Sequence, residues 1–193
     1  AMKFLANAGA RVVAVSTIAG TLRNENGLDV KAVLEGLGRA GDSFAGGGEP
    51  AGAVLSADCD VMLLCAGSGA LDSTSAEHLK ARAVVCGANI PFADGVEDHL
   101  NARGVLVLPD FVAGGGGVLG STLVTAACVT PDELEAILRR RFKPLVAQML
   151  AAAFARGTTV AIEARQQALG VIAACDAAYG TLRPDTLLPE KLA

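Results

Sequence analysis

The chain has no CxxC pair, no cluster of cysteine with histidine, and only two histidines, His78 and His99. Its five cysteines, Cys59, Cys65, Cys86, Cys128 and Cys175, are odd in number and widely spaced. That pattern supports neither a disulfide framework nor a zinc site. Cys65 and Cys86 sit inside apolar runs, where cysteine behaves as a small hydrophobe. Both histidines fall in polar helical surroundings and read as surface residues rather than ligands or bases. Basic charge is thin as well: the longest block is Arg139-Arg140-Arg141 and the net charge is −4, which excludes the dense basic stripe of a nucleic-acid surface. No uninterrupted apolar run reaches the roughly 18 residues of a membrane span, so no membrane partner is expected, and no signal-peptide pattern is present. Reduced thiols without such a signal point to the cytoplasm. A phosphate-binding glycine loop is also missing. The glycine-rich run Gly41–Gly48 lacks the lysine of a P-loop and the helix register of a dinucleotide loop, and reads as a surface turn.

What is present is enough for a sizeable core. Of 193 residues 52% are apolar and only 19% charged, which fits one domain, or one domain with a helical appendage. The most informative stretch runs from Cys59 to Val118. It holds short apolar segments, each ending in small residues: CDVMLLCAGSGAL, ARAVVCGANIPF and GVLVLPDFVAGGGGV. Near-continuous Val/Leu runs are the mark of buried parallel strands, and ligands of open α/β sheets sit just past the carboxyl ends of such strands. The turns Ala66-Gly67-Ser68-Gly69, Gly87-Ala88-Asn89 and Asp110 to Gly117 are therefore expected to form one edge of a nucleotide crevice.

Periodicity places the remaining elements. Ala1–Ala8 has helical composition with Gly9 as its stop, and the β-branched Arg11–Ser16 is a strand. Leu28–Leu37 is a helix capped by Asp29, with apolar residues at 30, 33, 34 and 37. Strands are expected at Val61–Cys65, Ala83–Cys86 and Val105–Leu108, alternating with helices at Ser75–Ala81 and Val96–Ala102, the latter ended by Gly104. Such alternation argues for βαβ units and a parallel sheet. From Gly117 the pattern turns helical: Leu119–Cys128, a long helix opened by Pro131-Asp132-Glu133, and Val160–Tyr179. Pro144 is expected to kink or interrupt the long helix. Arg183–Leu192, punctuated by proline, reads as a surface tail.

Five segments in order carry a family resemblance: GARVVAVS at Gly9–Ser16, NGLDVKAVL from Asn26, DCDVMLLCA from Asp58, AVVCGAN at Ala83–Asn89, and GVLVLPDFVA followed by GGV from Gly104 to Val118. In these the chain resembles the C-terminal, nucleotide-binding domain of the glutamate/leucine/phenylalanine/valine dehydrogenases. The resemblance implies an α/β fold, a Rossmann-like parallel sheet lacking its first strand and GxGxxG turn, with a C-terminal helical segment. Residues 1–127 would be the partial dinucleotide-binding domain and 128–193 the helical segment packing on it. It implies NAD or NADP as cofactor, and oxidative deamination of an amino acid to a 2-oxo acid and ammonia. The catalytic lysine and aspartate of the family lie in a substrate domain, so the chain is expected to be a piece of a longer protein, partnered by that domain and inactive alone. Self-association into a homo-oligomer is a further expectation.

The resemblance also assigns cofactor contacts. Asn89, with Ala88 before it, matches the family asparagine beside the nicotinamide ribose; an amide both donates to and accepts from hydroxyls. Ala66 and Gly67 fall where the family backbone lies against the adenosine side, and small residues allow that approach. Ser16 and Thr17 fall at the adenosine ribose. The family often has an acidic residue there, and its replacement by Thr17 favours a 2′-phosphate, with Arg23 as the nearest candidate clamp. Gly114 stands where a family asparagine on the nicotinamide side is expected, and AGSGAL at Ala66–Leu71 replaces a turn that usually carries an acidic residue and an asparagine. These three departures raise the alternative of a non-catalytic nucleotide-binding or regulatory module.

Overall fold

A computed structural model of the chain describes residues 1–40, 48–126 and 129–179. The expectations for 41–47 of the glycine loop, for Cys128 and for the tail Arg183–Leu192 lie outside the described residues. Two compact units are present, Ala1–Leu119 and the remainder from Gly120, and the boundary falls inside one helix.

The first unit opens with helix α1 (Met2–Asn7), stopped by Gly9 at φ +84°. Strand β1 (Ala14–Thr17) follows, three residues later than its β-branched run suggests, because the carbonyls of Val12 and Val13 accept bonds from Leu28 and Asn24 instead of a ladder partner. A second strand unmarked in the sequence, β2 (Gly20–Arg23), pairs antiparallel with β1 in the register Ala14↔Arg23 to Thr17↔Gly20. The outer edge of β2 is held at one point, where Thr21 and Glu49 exchange N–H···O bonds of 2.8 and 2.9 Å. Helix α2 (Val30–Ala40) is capped as expected: the Asp29 carboxylate accepts from the Ala32 N–H at 3.0 Å.

After a 3₁₀ turn at Ala51–Ser56, the chain builds β3 (Val61–Leu64), α3 (Ser73–Glu77), β4 (Ala83–Cys86), α4 (Val96–Ala102) and β5 (Leu106–Leu108). The three strands form a parallel sheet in the order β3-β4-β5, with β4 in the middle. Helix α3 starts before its expected position because the Asp72 carboxylate accepts from Ser75 N–H at 2.7 Å, and it ends by His78. Helix α4 runs as its pattern predicts, and Gly104 takes the φ of +77° that ends it. Arg103 then donates to the carbonyls of Ala76 and Leu79, fastening α4 to α3.

The core lies on one face of this sheet. Met62 and Leu64 of β3, Val84 and Cys86 of β4, and Val107 of β5 are buried cross-strand neighbours, covered by Leu71, Ala76, Leu79, Val96 and Leu100. The other face is not dry. Val61 is 47% exposed, and Leu63, Val85, Leu106 and Leu108 are half-buried. The apolar runs thus correspond to a sheet sealed on one side within this unit, rather than to strands buried on both faces.

The glycine run after β5 is helical, which corrects the reading of Asp110–Gly117 as a turn. Helix α5 (Asp110–Ala113) follows Pro109 directly, and α6 (Gly115–Thr125) continues past Gly114. Each helical glycine costs about 1 kcal/mol of propensity, so the run is maintained by its bonds: Gly114 N–H to Asp110 at 2.6 Å and Gly117 N–H to Gly114 at 2.9 Å.

In the second unit, α7 (Pro131–Ile137) begins with a capping box, in which Thr130 and Glu133 bond each other's backbone and side chain. A π-helical turn, Leu138–Phe142, joins α7 to α8 (Lys143–Arg156). Pro144 stands in the first turn of α8, so the interruption expected there takes the form of a register change just before the proline, which supplies no N–H. Gly157 ends α8, and α9 (Val160–Tyr179) leaves at 117° to the preceding run. The corner is fixed by Glu163, only 3% exposed, which accepts from Arg156 at 2.8 Å and Thr158 at 2.7 Å. Among the described residues no single helix is long and apolar enough to cross a membrane.

Candidate functional site

The carboxyl ends of β3, β4 and β5 are tied together by hydrogen bonds. Leu64 O, at the end of β3, accepts from both Gly87 N–H (2.9 Å) and Ala88 N–H (2.8 Å), which carries the β4 chain on alongside the β3 turn. Beyond that, Gly69 N–H donates to Ile90 O at 2.9 Å, Leu71 N–H to Pro91 O at 2.9 Å, and the Ser68 hydroxyl to Asn89 O at 3.2 Å. The third strand joins through one side chain. Asp110 accepts from Ile90 N–H on Oδ2 and from Phe111 N–H on Oδ1, each at 2.7 Å. A carboxylate receiving two backbone N–H groups makes charge-assisted bonds, about twice as strong as neutral ones. Asp110 therefore bolts the turn after β4 to the start of α5.

Four of the expected site residues meet here. Ala66 and Gly67 lie exposed on the β3 turn, and Gly67 has open space where a Cβ would stand. Ala88 is half-buried, and Asn89 is exposed with a carboxamide that makes no hydrogen bond among the described residues. Gly114 sits at the junction of α5 and α6, one turn beyond Asp110. A Cβ at that position would come within 2.8 Å of the Asp110 carbonyl oxygen, so a larger residue there requires the α5 backbone to shift. Ser16 and Thr17 belong to the separate hairpin sheet. The Ser16 hydroxyl donates to Ala51 O at 2.7 Å, and Thr17 Oγ1 accepts from Ala19 N–H at 3.2 Å, so both hydroxyls serve local structure.

Arg23 does not stand beside Thr17. It occupies the opposite end of the hairpin, paired with Ala14, about 10 Å along the strand. Its guanidinium donates to Ala53 O at 2.7 Å and faces Glu49 at 3.4 Å. The thiols flank the site. Cys86 is buried beneath it, and burial, reinforced by the charges of Glu97 and Asp110, pushes its thiol up to about 12. Cys65 is exposed at the β3 turn rather than packed in an apolar run, with its Sγ against Gly87, where a Cβ would approach to 2.8 Å. Sequence reasoning missed Ile90, and it gave Asp110 only as the start of the third turn, without its bolting role. Their signals were an aspartate after a strand-ending proline, and a β-branched residue wedged between Asn89 and Pro91.

A groove of about 820 Å³ lies elsewhere, between α1 and α2, lined by Lys3, Arg11, Asp29, Lys31 and Glu35. None of the expected site residues lines it. Among the described residues no group of three or more His, Cys, Asp or Glu side chains could hold a metal ion.

The family model for glutamate/leucine/phenylalanine/valine dehydrogenases matches residues 1–180. The chain belongs to this family. It is 33% identical over 122 residues to the NADP-specific glutamate dehydrogenase of Saccharolobus shibatae, and 38% over 122 residues to NADP-specific glutamate dehydrogenase A1 of Halobacterium salinarum. Those alignments cover 62% and 61% of this chain but 29% of each relative. Among solved structures, the hetero-hexameric glutamate dehydrogenase of Thermus thermophilus in its Leu-bound form superposes with a TM-score of 0.80 at 30% identity, covering 94% of this chain and 45% of that one. The Peptoniphilus asaccharolyticus glutamate dehydrogenase, at 21% identity and a TM-score of 0.73 over 93% of this chain and 43% of that one, shares the fold. The chain thus spans less than half the length of these relatives.

Proposed function

We propose that this chain is the dinucleotide-binding part of an NAD(P)-dependent amino acid dehydrogenase, one that converts an L-amino acid to a 2-oxo acid and ammonia. The observation that carries the reading is the joined edge of three strand ends, where an Asn89 amide with no hydrogen bond among the described residues stands next to turns with open space at Gly67. Ligands of open α/β sheets bind at such an edge. The Asn89 amide serves the nicotinamide ribose hydroxyls, the backbone of Ala66, Gly67 and Ala88 lines the crevice, and Gly114 lets α6 start close to it. Ser16 and Thr17 act at the adenosine ribose through their backbone, because their hydroxyls are engaged. With no carboxylate at position 17 and NADP-specific relatives, NADP is the cofactor we favour, although the 2′-phosphate needs a partner other than Arg23.

The role falls on residues 1–127, with 128–193 as a helical segment. The partner is the substrate domain of a longer chain, and the chemistry this part supplies is positioning: it holds the nicotinamide where hydride leaves the substrate carbon. Assembly into an oligomer and a cytoplasmic location, consistent with free Cys59, Cys65, Cys86 and Cys175, complete the reading. The chain alone is expected to show no turnover of glutamate or leucine with either cofactor; measurable turnover contradicts it. Asn89→Ala is expected to weaken dinucleotide binding about tenfold, the worth of one or two hydrogen bonds. The second reading, a nucleotide-binding module without catalysis, is favoured by Thr17 and by glycine at position 114. Deaminating activity of the parent protein excludes it.

A further inference from the structure

Among the described residues Ile90 is the one non-glycine residue with positive φ, at +49°. A β-branched side chain in the left-handed region is strained, because its Cβ substituents crowd the backbone. Pro91 adds to this, since a residue before proline is pushed towards extended backbone. Burial does not compensate: Ile90 is 69% exposed. Both its backbone groups are nevertheless held, the N–H by Asp110 at 2.7 Å and the carbonyl by Gly69 N–H at 2.9 Å. Neighbouring strand ends thus fix a conformation that isoleucine disfavours, and they present an apolar side chain to solvent directly after the exposed amide of Asn89. Strain retained without burial is a feature of ligand sites.

We infer that Ile90 is a ligand-contact residue, whose side chain packs on the flat face of the nicotinamide ring of the dinucleotide, beside the ribose served by Asn89. This rests on the reading of the three strand ends as a dinucleotide crevice. It adds to that reading a specific division of labour. Asn89 supplies the polar contact, Ile90 the apolar one, and Asp110 positions both by holding the turn. The adenosine half of the cofactor owes nothing to Ile90.

The test is calorimetric titration of the full chain and of Ile90→Gly and Ile90→Asn with NAD, NADP and ADP, alongside thermal melts. Glycine and asparagine both accept the left-handed backbone, so both variants are expected to fold with a melting temperature equal to or above that of the parent. Glycine removes the side chain without adding a polar group. The expected result is a Kd for the dinucleotide raised about tenfold, the worth of one covered isoleucine face, with the Kd for ADP unchanged. Unchanged dinucleotide affinity in both variants overturns the inference, and so does an equal loss for dinucleotide and ADP, which would mean a general distortion of the crevice. If the parent chain binds neither dinucleotide, the crevice reading fails and this inference falls with it. If the parent binds and Asn89→Ala alone weakens binding, the crevice stands and only the assignment to Ile90 is lost.

Discussion

Asp110 uses each carboxylate oxygen for a different backbone N–H, Ile90 on one side and Phe111 on the other. An asparagine has a single acceptor oxygen, so Asp110→Asn must set an NH₂ group against one of the two N–H donors. The expected cost is about 0.5–1.5 kcal/mol, the net worth of one hydrogen bond at an exposed pair, read as a lower urea midpoint. The thiols offer a second check at this scale. Cys86 is buried and its thiol is raised to about 12, whereas Cys65 nearby is exposed. Iodoacetamide at pH 8 is expected to modify Cys65 in the folded chain and to leave Cys86 untouched until denaturant is added, as peptide mass spectrometry would show; early modification of Cys86 contradicts the packing. The linkage has a definite sign. Because the folded state keeps the Cys86 proton longer than the unfolded chain does, this contribution to stability is full below pH 9, the ordinary thiol value, and is lost as pH rises towards 12.

The elements differ in how openly they are written. Helix α4 could be read from its apolar spacing and Gly104, and α2 from Asp29, because these caps are local and each acts within one turn. The Thr130–Glu133 box is equally local, and its threonine directly precedes the Pro131-Asp132-Glu133 run that marks the helix start. Thr130→Ala is expected to cost about 1 kcal/mol of stability in thermal or urea unfolding. The bonds from Thr130 hold the Glu133 carboxyl below the ordinary glutamate range, so the contribution is present above that range and lost as pH falls through the lowered value. Strand β2 was illegible for the opposite reason. GTLR carries little strand propensity, and what makes it a strand is pairing with β1 and tethering of Thr21 to Glu49, Pro50 and Ala51, partners far along the chain. The helical state of GGGV was hidden in the same way, since its glycines argue for a turn and only the bonds running on from Asp110 and Gly114 make it a helix. Of the site, the strand-end glycines and Asn89 could be seen in the sequence. The bolt through Asp110 and the strain at Ile90 arise where two strand ends meet, and no local pattern carries that.

Across the whole molecule, the family match spans residues 1–180 while the chain covers 45% of the Thermus protein it superposes on. The parallel sheet is sealed on one face, half-exposed on the other, and the edge of β3 away from β4 has no ladder partner among the described residues. These open surfaces belong to the parallel sheet whose strand ends carry the proposed cofactor site. They leave the strand-end crevice as the feature whose function can be tested on the chain alone. The most direct test of its function is calorimetric titration of the monodisperse chain with NAD and NADP separately. Saturable binding of one site per chain, tighter for NADP, is the result predicted here. Absence of binding to either dinucleotide at millimolar concentration would contradict the assignment of the three strand ends as a cofactor site.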